Sequence, residues 1–336
     1  MTANGPSVTR PSGSTFVHAA MIVESDDSLR ARLIPALRRS LDIDEHVLMV
    51  VGSHTERLVR AELGDVSTAL QWDKPAAVYQ RLGVTFETVR RYLAEQHASG
   101  RRVHIVTEPD ITTGLDSTSA IHRATAYLSY ESVCNQAYAG YGCPVTCIWD
   151  SRRYPTLVIE GVRSVHTHEI TDAGTVVNEQ HIPPADYLTA HNDVPLQTPP
   201  PATDLDLALT DIGDLGLLRT AVWAWATDHS FAPAAANDVI TAVTEVATNG
   251  LVHGAAPVRL RAWHHRRSLT IQVDDAGGQP LPPTAGYLPP DMNPDTGRGM
   301  WLARQFADVV TAHTGAGHTS VRLHFPHDIT HKNPAA

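Results

Sequence analysis

Between Ile182 and Thr210 the chain reads IPPADYLTAHNDVPLQTPPPATDLDLALT, where no helical or alternating apolar period survives more than a few positions. Three successive prolines, Pro199 to Pro201, favour extended polyproline geometry, so this stretch is expected to be a semi-rigid spacer between independently folding halves. A chain of 336 residues exceeds what one core usually organises, which agrees with a single internal break. The expected division is a lead over 1–14, a first domain over 15–180, a linker over 181–204, a second domain over 205–328 and a tail over 329–336.

The first half alternates strand-like and helix-like segments. HAAMIVES, a helical stretch from Asp26 to Leu41, the apolar run VLMVVG and a helix after Thr55 come first; RRVHIVTEP, a helical pattern from Ser117 to Ala137 and PVTCIWD follow. This order predicts an α/β domain with a mostly parallel sheet. VLMVVGSHTERL stands where a phosphate loop would lie, but it lacks the glycines and lysine of GxxxxGK[ST], so no nucleotide site is assigned there. The second half offers helices over Leu215 to Asp228 and Pro233 to Leu251. Strands VRLRAWHH, SLTIQVDD and TSVRLHF follow, with a helical pattern, MWLARQFADVV, beginning near Gly299. That is an α+β order, with helices on one face of a mostly antiparallel sheet and a groove between the layers.

Composition narrows the function classes. A formal charge of −10 argues against direct nucleic-acid binding, which needs a basic footprint. No stretch approaches the apolar length of a membrane span, and Met1 to Thr15 lacks the basic start and apolar core of a secretory leader, so a cytoplasmic location is expected. The three cysteines suit a reducing compartment.

Three elements of the second half carry chemistry. In TEVATNGLVHG, Glu245 and Asn249 stand four apart and share a helix face. An Asn carbonyl can ligate magnesium, and a Glu can position or deprotonate an attacking hydroxyl. SLTIQV then ends in Asp274, Asp275, Ala276, Gly277 and Gly278, where a carboxylate can accept the exocyclic amine proton of adenine and glycine lets backbone approach a flat base. Finally Thr296, Gly297, Arg298 and Gly299 open a helix, the arrangement that favours an anion at a helix start. Each element alone is common, and their order and spacing are what is specific.

That series resembles the N, G1 and G2 boxes of the Bergerat fold of GHKL ATPases, in the branch of anti-sigma-factor serine kinases common in actinobacteria. The resemblance implies ATP and magnesium as cofactors. It gives Glu245 as catalytic base or water-orienting carboxylate, Asn249 as magnesium ligand, Asp275 as adenine-recognising acid, and Gly277, Gly297 and Gly299 as nucleotide contacts. Arg298 would meet a phosphate, and PLPPTAGYLPPDMNPDT would be the lid. Gly277 and Gly278 stand adjacent without a later G1 glycine, and Gly250 interrupts the N-box helix, both departures from the pattern. The Gly250 departure costs on the order of 1 kcal/mol in an exposed helix. His253 follows the family pattern but is given no catalytic role.

In the first half, His18, Glu108-Pro109, Glu131, Asn135, Cys147, Asp150 and His166 are placed as in the MEDS sensory domain of methanogen and methylotroph regulators, and the span Thr15 to Asp172 resembles it. This implies a small-molecule or other signal as input, with His18, Glu108, Cys147 and Asp150 as a candidate sensory pocket. Cys143, Cys147, His166 and His168 also have spacings compatible with zinc. The expected function is a signal-responsive regulator of transcription. It would act by ATP- and magnesium-dependent serine-kinase or anti-sigma activity on an anti-anti-sigma (STAS-type) protein or a sigma factor, with a homodimer left open. The alternatives are a non-catalytic ATP-dependent binding switch and an atypical sensor histidine kinase, for which His168-Glu169 imitates an acceptor dipeptide.

Overall fold

In the computed structural model the described residues are 16–326, except 44, 80, 112–116, 194, 266–267, 291, 293–296 and 316. The expected lead and tail, and Thr296, lie outside them.

The first half runs β1 (Val17–Val23), α1 (Asp26–Asp42), β2 (His46–Val50), α2 (Ser53–Leu63), β3 (Gln71–Asp73), α3 (Pro75–Val78) and α4 (Leu82–Ala98). It continues through β4 (Val103–Thr107), α5 (Ser117–Ala137), β5 (Pro144–Asp150), α6 (Thr156–Val165), β6 (His168–Thr171) and β7 (Gly174–Val177). The strands form one sheet in the order β3-β2-β4-β5-β1-β6-β7, parallel except for the terminal β6–β7 pair. β1 shows why a near-continuous apolar run is needed: every residue from His18 to Val23 is buried. Ala20 and Ile22 pack toward α4, α5 and α6, while Ala19, Met21 and Val23 pack toward α1 and α2, as a period of two requires. Helix α1 starts on a Ser25–Ser28 capping box, with Asp26 and Asp27 in its first turn complementing the helix dipole.

The second half runs β8 (Leu205–Leu209), α8 (Leu215–Asp228), α9 (Pro233–His253), β9 (Val258–His265), β10 (Ser268–Asp275), α10 (Gly299–Phe306), β11 (Val309–Gly315) and β12 (His318–Pro326). Its sheet, β11-β12-β10-β9-β8, is antiparallel throughout. Leu260, Ile271, Val273 and Leu323 from the strands meet Val222, Val243, Val246 and Met300 from the helices in one core. This is the expected α/β sandwich, with two edge strands added, β8 and β11.

Two sequence expectations are corrected. MWLARQFADVV is not helical throughout: α10 stops at Phe306, and Val309 and Val310 begin β11. Buried Asp308, gripped by Arg123 of α5, fixes the chain at this turn, and the β-branched pair then extends along β12. Nor is the proline-rich stretch only a spacer. Pro184–His191 forms a helix, α7, whose Tyr187 and Leu188 are buried in the first core, and Asp193 bridges to Ala312 of β11.

The halves accordingly share an interface. Arg123 forms a bidentate pair with Asp308, with nitrogen–oxygen distances of 2.8 and 3.0 Å. Arg81 pairs with Asp238 at 3.0 Å. α4 crosses α10 so closely that a Cβ on Gly83 would lie 2.3 Å from the Arg304 carbonyl oxygen.

Candidate functional site

The site is built where α9, the end of β10 and the start of α10 meet. In α9 the spacing of four brings Glu245 and Asn249 onto one face, and that face meets Gly299. A Cβ at Gly299 would lie 2.8 Å from Glu245 Oε2 and 3.4 Å from both terminal atoms of the Asn249 amide. Glycine is therefore required for the helix start to sit against these two side chains. Gly250, a costly residue in an exposed helix, has a packing reason: it is buried, and a Cβ there would meet Val258 at 3.1 Å and Asp275 at 3.4 Å.

Alternation along β10 separates its two terminal aspartates. Asp274 turns away, pairing with Arg261 at 2.6 Å and accepting from Gln272 and Ser320. Asp275 turns to the groove, where its carboxylate accepts the Gly277 amide at 2.8 Å and packs on Gly254. Gly277 lies against the Gly254–Ala255 backbone, where a Cβ would stand 2.9 Å from main-chain atoms. The glycines adjacent in sequence thus have separate duties, since Gly278 takes a positive φ of 60° in the turn.

Asn249, Asp275, Gly297, Arg298 and Gly299 line one groove, together with Val246, Gly250, His253, Val273, Met300, Thr319 and Val321. Its cavity volume is about 650 Å³ and it opens to solvent, a size within the range of small-molecule sites. One end is apolar beside Asp275, and the other ends at the first turn of α10, where Gly297 has φ 63° and exposed Arg298 adds positive charge. Glu245 sits beyond this end, against Gly299, and Gly277 lies behind Asp275; neither lines the groove. The sequence did not signal Thr319, Val246, Val273 or Val321 as groove residues. The apolar three read as ordinary core positions, and Thr319, which donates to the Gln279 carbonyl at 2.8 Å, reads as the first residue of a strand.

Residues 291 and 293–296 of the expected lid lie outside the described residues; at Tyr287 and Leu288 it is pinned, not free-standing. Tyr287 and Leu288 are buried in the core of the first half, Tyr287 meeting Tyr130 of α5 edge-on at 5.1 Å. Its hydroxyl donates to Asn192 at 3.1 Å, and the Arg304 guanidinium lies 3.8 Å over its ring.

The candidate sensory residues do not form one pocket. His18 Nε2 and Cys147 Sγ meet, 3.5 Å apart, beneath α5. Glu108 and Asp150 lie instead near the carboxyl ends of β4 and β5, with arginines. Asp150 is bonded by Arg152, which holds its carboxyl below the usual range, and Glu108 lies 3.6 Å from Arg153. Glu108 also accepts the Gly52 amide at 2.9 Å, placing a carboxylate where a phosphate loop would hold an anion. The zinc-compatible set is likewise not assembled, since only Cys147 and His166 of the four converge. The CxxxC spacing is drawn out along β5, where four residues span about 13 Å. His168 opens β6 and bonds Thr167, a strand position unlike the helical hairpin of a histidine-kinase acceptor.

Among the described residues no helix is long and apolar enough to cross a membrane. Residues 17–167 match the family described as MEDS, the MEthanogen/methylotroph, DcmR Sensory domain, and residues 208–325 match the histidine kinase-like ATPase domain. No curated protein matches the chain. Among solved structures, the crystal structure of the RsbU and RsbW domains of Rv1364c from Mycobacterium tuberculosis is similar at 18% identity over 36% of this chain, with a TM-score of 0.28. The match spans 32% of that chain's length. The present chain joins a MEDS domain to a histidine kinase-like ATPase domain.

Proposed function

We propose that the second half binds ATP with magnesium in the α9–α10 groove and acts on a protein partner as an anti-sigma-type serine kinase, with the first half as its sensory input. The observation that carries this reading is the meeting of Glu245, Asn249 and Gly299 at one end of a groove whose other end holds Asp275. The match to the histidine kinase-like ATPase domain supports it.

The residues fit the nucleotide, because Asn249, Asp275, Gly297, Arg298 and Gly299 line one groove, and the absence of a side chain at Gly299 lets the helix start sit against Glu245 and Asn249. Asp275 would accept from the adenine amine between Val246, Val273 and Val321. Asn249 would supply a neutral oxygen to magnesium, and the α10 amides with Arg298 would hold phosphate oxygens. Bound magnesium-ATP would supply the phosphoryl group and neutralise its charge. Glu245 would orient, and take the proton from, a serine hydroxyl of an anti-anti-sigma partner of STAS type, while a sigma factor would be the partner held by sequestration.

In calorimetric titration of the full chain, Asn249→Ala and Asp275→Ala are each expected to weaken magnesium-ATP binding by about tenfold or more, equivalent to about 1.4 kcal/mol. Labelled ATP with a candidate STAS partner should give phosphoserine that disappears in Glu245→Ala. Transfer unaffected by that change would remove Glu245 from the chemistry.

One observation favours a second reading, a binding switch without transfer. The Glu245 carboxylate packs on Gly299 and does not line the groove. Partner binding that responds equally to ATP and a non-hydrolysable analogue, with no phosphoserine formed, would establish the switch.

A further inference from the structure

Beneath α5, in the interior of the first half, four side chains from separate elements converge. They are His18 of β1, Glu131 of α5, Cys147 of β5 and His166, which follows α6; each is at most 5% exposed, and their ligand-type atoms all lie within 4.8 Å of one another. One carboxylate oxygen, Glu131 Oε2, is the hub. It lies 3.0 Å from His18 Nε2, 3.2 Å from His166 Nε2 and 3.5 Å from Cys147 Sγ, and the Cys147 Sγ to His18 Nε2 distance is also 3.5 Å.

The second nitrogen of each imidazole fixes its tautomer. His166 Nδ1 donates to the Val162 carbonyl at 2.7 Å. His18 Nδ1 donates to Asn135 Oδ1 at 3.1 Å, and the Asn135 amide is oriented by its own donation to the carbonyls of Val165 and Ser132. In neutral rings both Nε2 atoms are therefore lone pairs, and both face a carboxylate. Among the described residues His166 Nε2 has no hydrogen-bond partner despite its burial. Lone pairs aimed at a buried anion repel unless positive charge lies between them.

The spacings suit a metal ion. Bonds of 2.0–2.1 Å to nitrogen or oxygen and 2.3 Å to sulfur, in a tetrahedron, set ligand atoms about 3.3 Å apart, or about 3.5–3.6 Å where sulfur takes part. The observed separations, 3.0 and 3.2 Å without sulfur and 3.5 Å with it, are close to those edges. Charge also balances: a divalent ion, one carboxylate, one thiolate and two neutral imidazoles sum to zero, which suits burial. Each His Nδ1–H donating to a carbonyl oxygen is the outer support that metal-bound histidines commonly have.

We propose that His18, Glu131, Cys147 and His166 bind one divalent transition-metal ion of the zinc class, four-coordinate and closed to solvent, which ties β1, β5 and the end of α6 to α5. Mixed nitrogen, sulfur and carboxylate donors exclude magnesium and calcium as the preferred occupant. This inference is independent of the nucleotide site.

The test uses the purified full chain. Elemental analysis is expected to give one equivalent of zinc-class metal after dialysis, and X-ray absorption at the metal edge one sulfur and three nitrogen or oxygen neighbours. Chain stripped with chelator and reloaded with Co(II) should show the visible bands of tetrahedral cobalt and a thiolate-to-metal charge-transfer band. Cys147→Ser should abolish the charge-transfer band, and His166→Ala should lower zinc affinity more than about tenfold. Metal-free chain that takes up neither Zn(II) nor Co(II) overturns the proposal, as does bound metal with no sulfur neighbour. The absorption measurement reads the unaltered chain, so the result stands even where a variant fails to fold.

Discussion

His104, on β4, is enclosed by Ser40 at 2.7 Å and Thr146 at 2.9 Å, and burial, with a smaller contribution from Arg39, pushes its pKa down to about 4. The unfolded chain takes up this proton near the ordinary value of about 6.5, so between these two values the unfolded state binds more protons. Stability from this group is complete above about pH 6.5 and is lost as the pH falls toward 4. At pH 5 the loss is about 2 kcal/mol. Denaturant unfolding at pH 7 and pH 5 should show this decrement in the parent and a smaller one in His104→Gln; equal decrements would assign the acid sensitivity elsewhere. Single residues of the nucleotide groove obey the same local logic. Gly299 is fixed not by its own turn but by Glu245 and Asn249, some fifty positions earlier.

At the scale of elements, α5 is the member on which most depends. Its Arg123 reaches Asp308 beyond α10 and also donates to the Ile111 and Tyr79 carbonyls. Burial raises the Asp308 pKa although Arg123 opposes it, so the carboxylate depends on its partner for its charge. Arg123→Ala is expected to destabilise the chain by about 3–5 kcal/mol, whereas adding Asp308→Asn should recover part of that loss. A denaturation double-mutant cycle checks this, and strictly additive losses would contradict it. The helices and central strands were legible in the sequence as segments of helix- or strand-like composition bounded by turn residues: Ser117 to Ala137 and Leu215 to Asp228 are helices over the expected residues. The groove was legible for a different reason. Asn249, Asp275 and Gly299 stand at intervals that bring them to one groove, with Glu245 packed against Gly299. What sequence hid depends on contacts far along the chain. α7 is too short and too rich in neighbouring prolines to show a period, yet its Tyr187 and Leu188 find a core to enter. The members of the buried quartet beneath α5 were all named from sequence, but their convergence was hidden because His18 and Glu131 are more than a hundred positions apart.

Across the whole molecule the segment carrying Tyr287 is one of the joints between the halves. Tyr287 leaves the nucleotide-binding half and enters the other, seated between Tyr130 and Arg304. Tyr287→Ala is expected to cost about 3–5 kcal/mol, as truncation of a buried aromatic does, and to speed thermolysin cleavage within 280–296. An unchanged cleavage rate would show that Tyr287 does not hold the lid. Tyr130 and Glu131 are neighbours in sequence on α5, one facing the lid and the other the buried quartet. Coupling through such a joint runs equally in both directions. If nucleotide binds more tightly when the first half holds its ligand, that ligand must bind more tightly, by the same factor, when nucleotide is present. Under such coupling the response of the chain to either concentration would depend on the other.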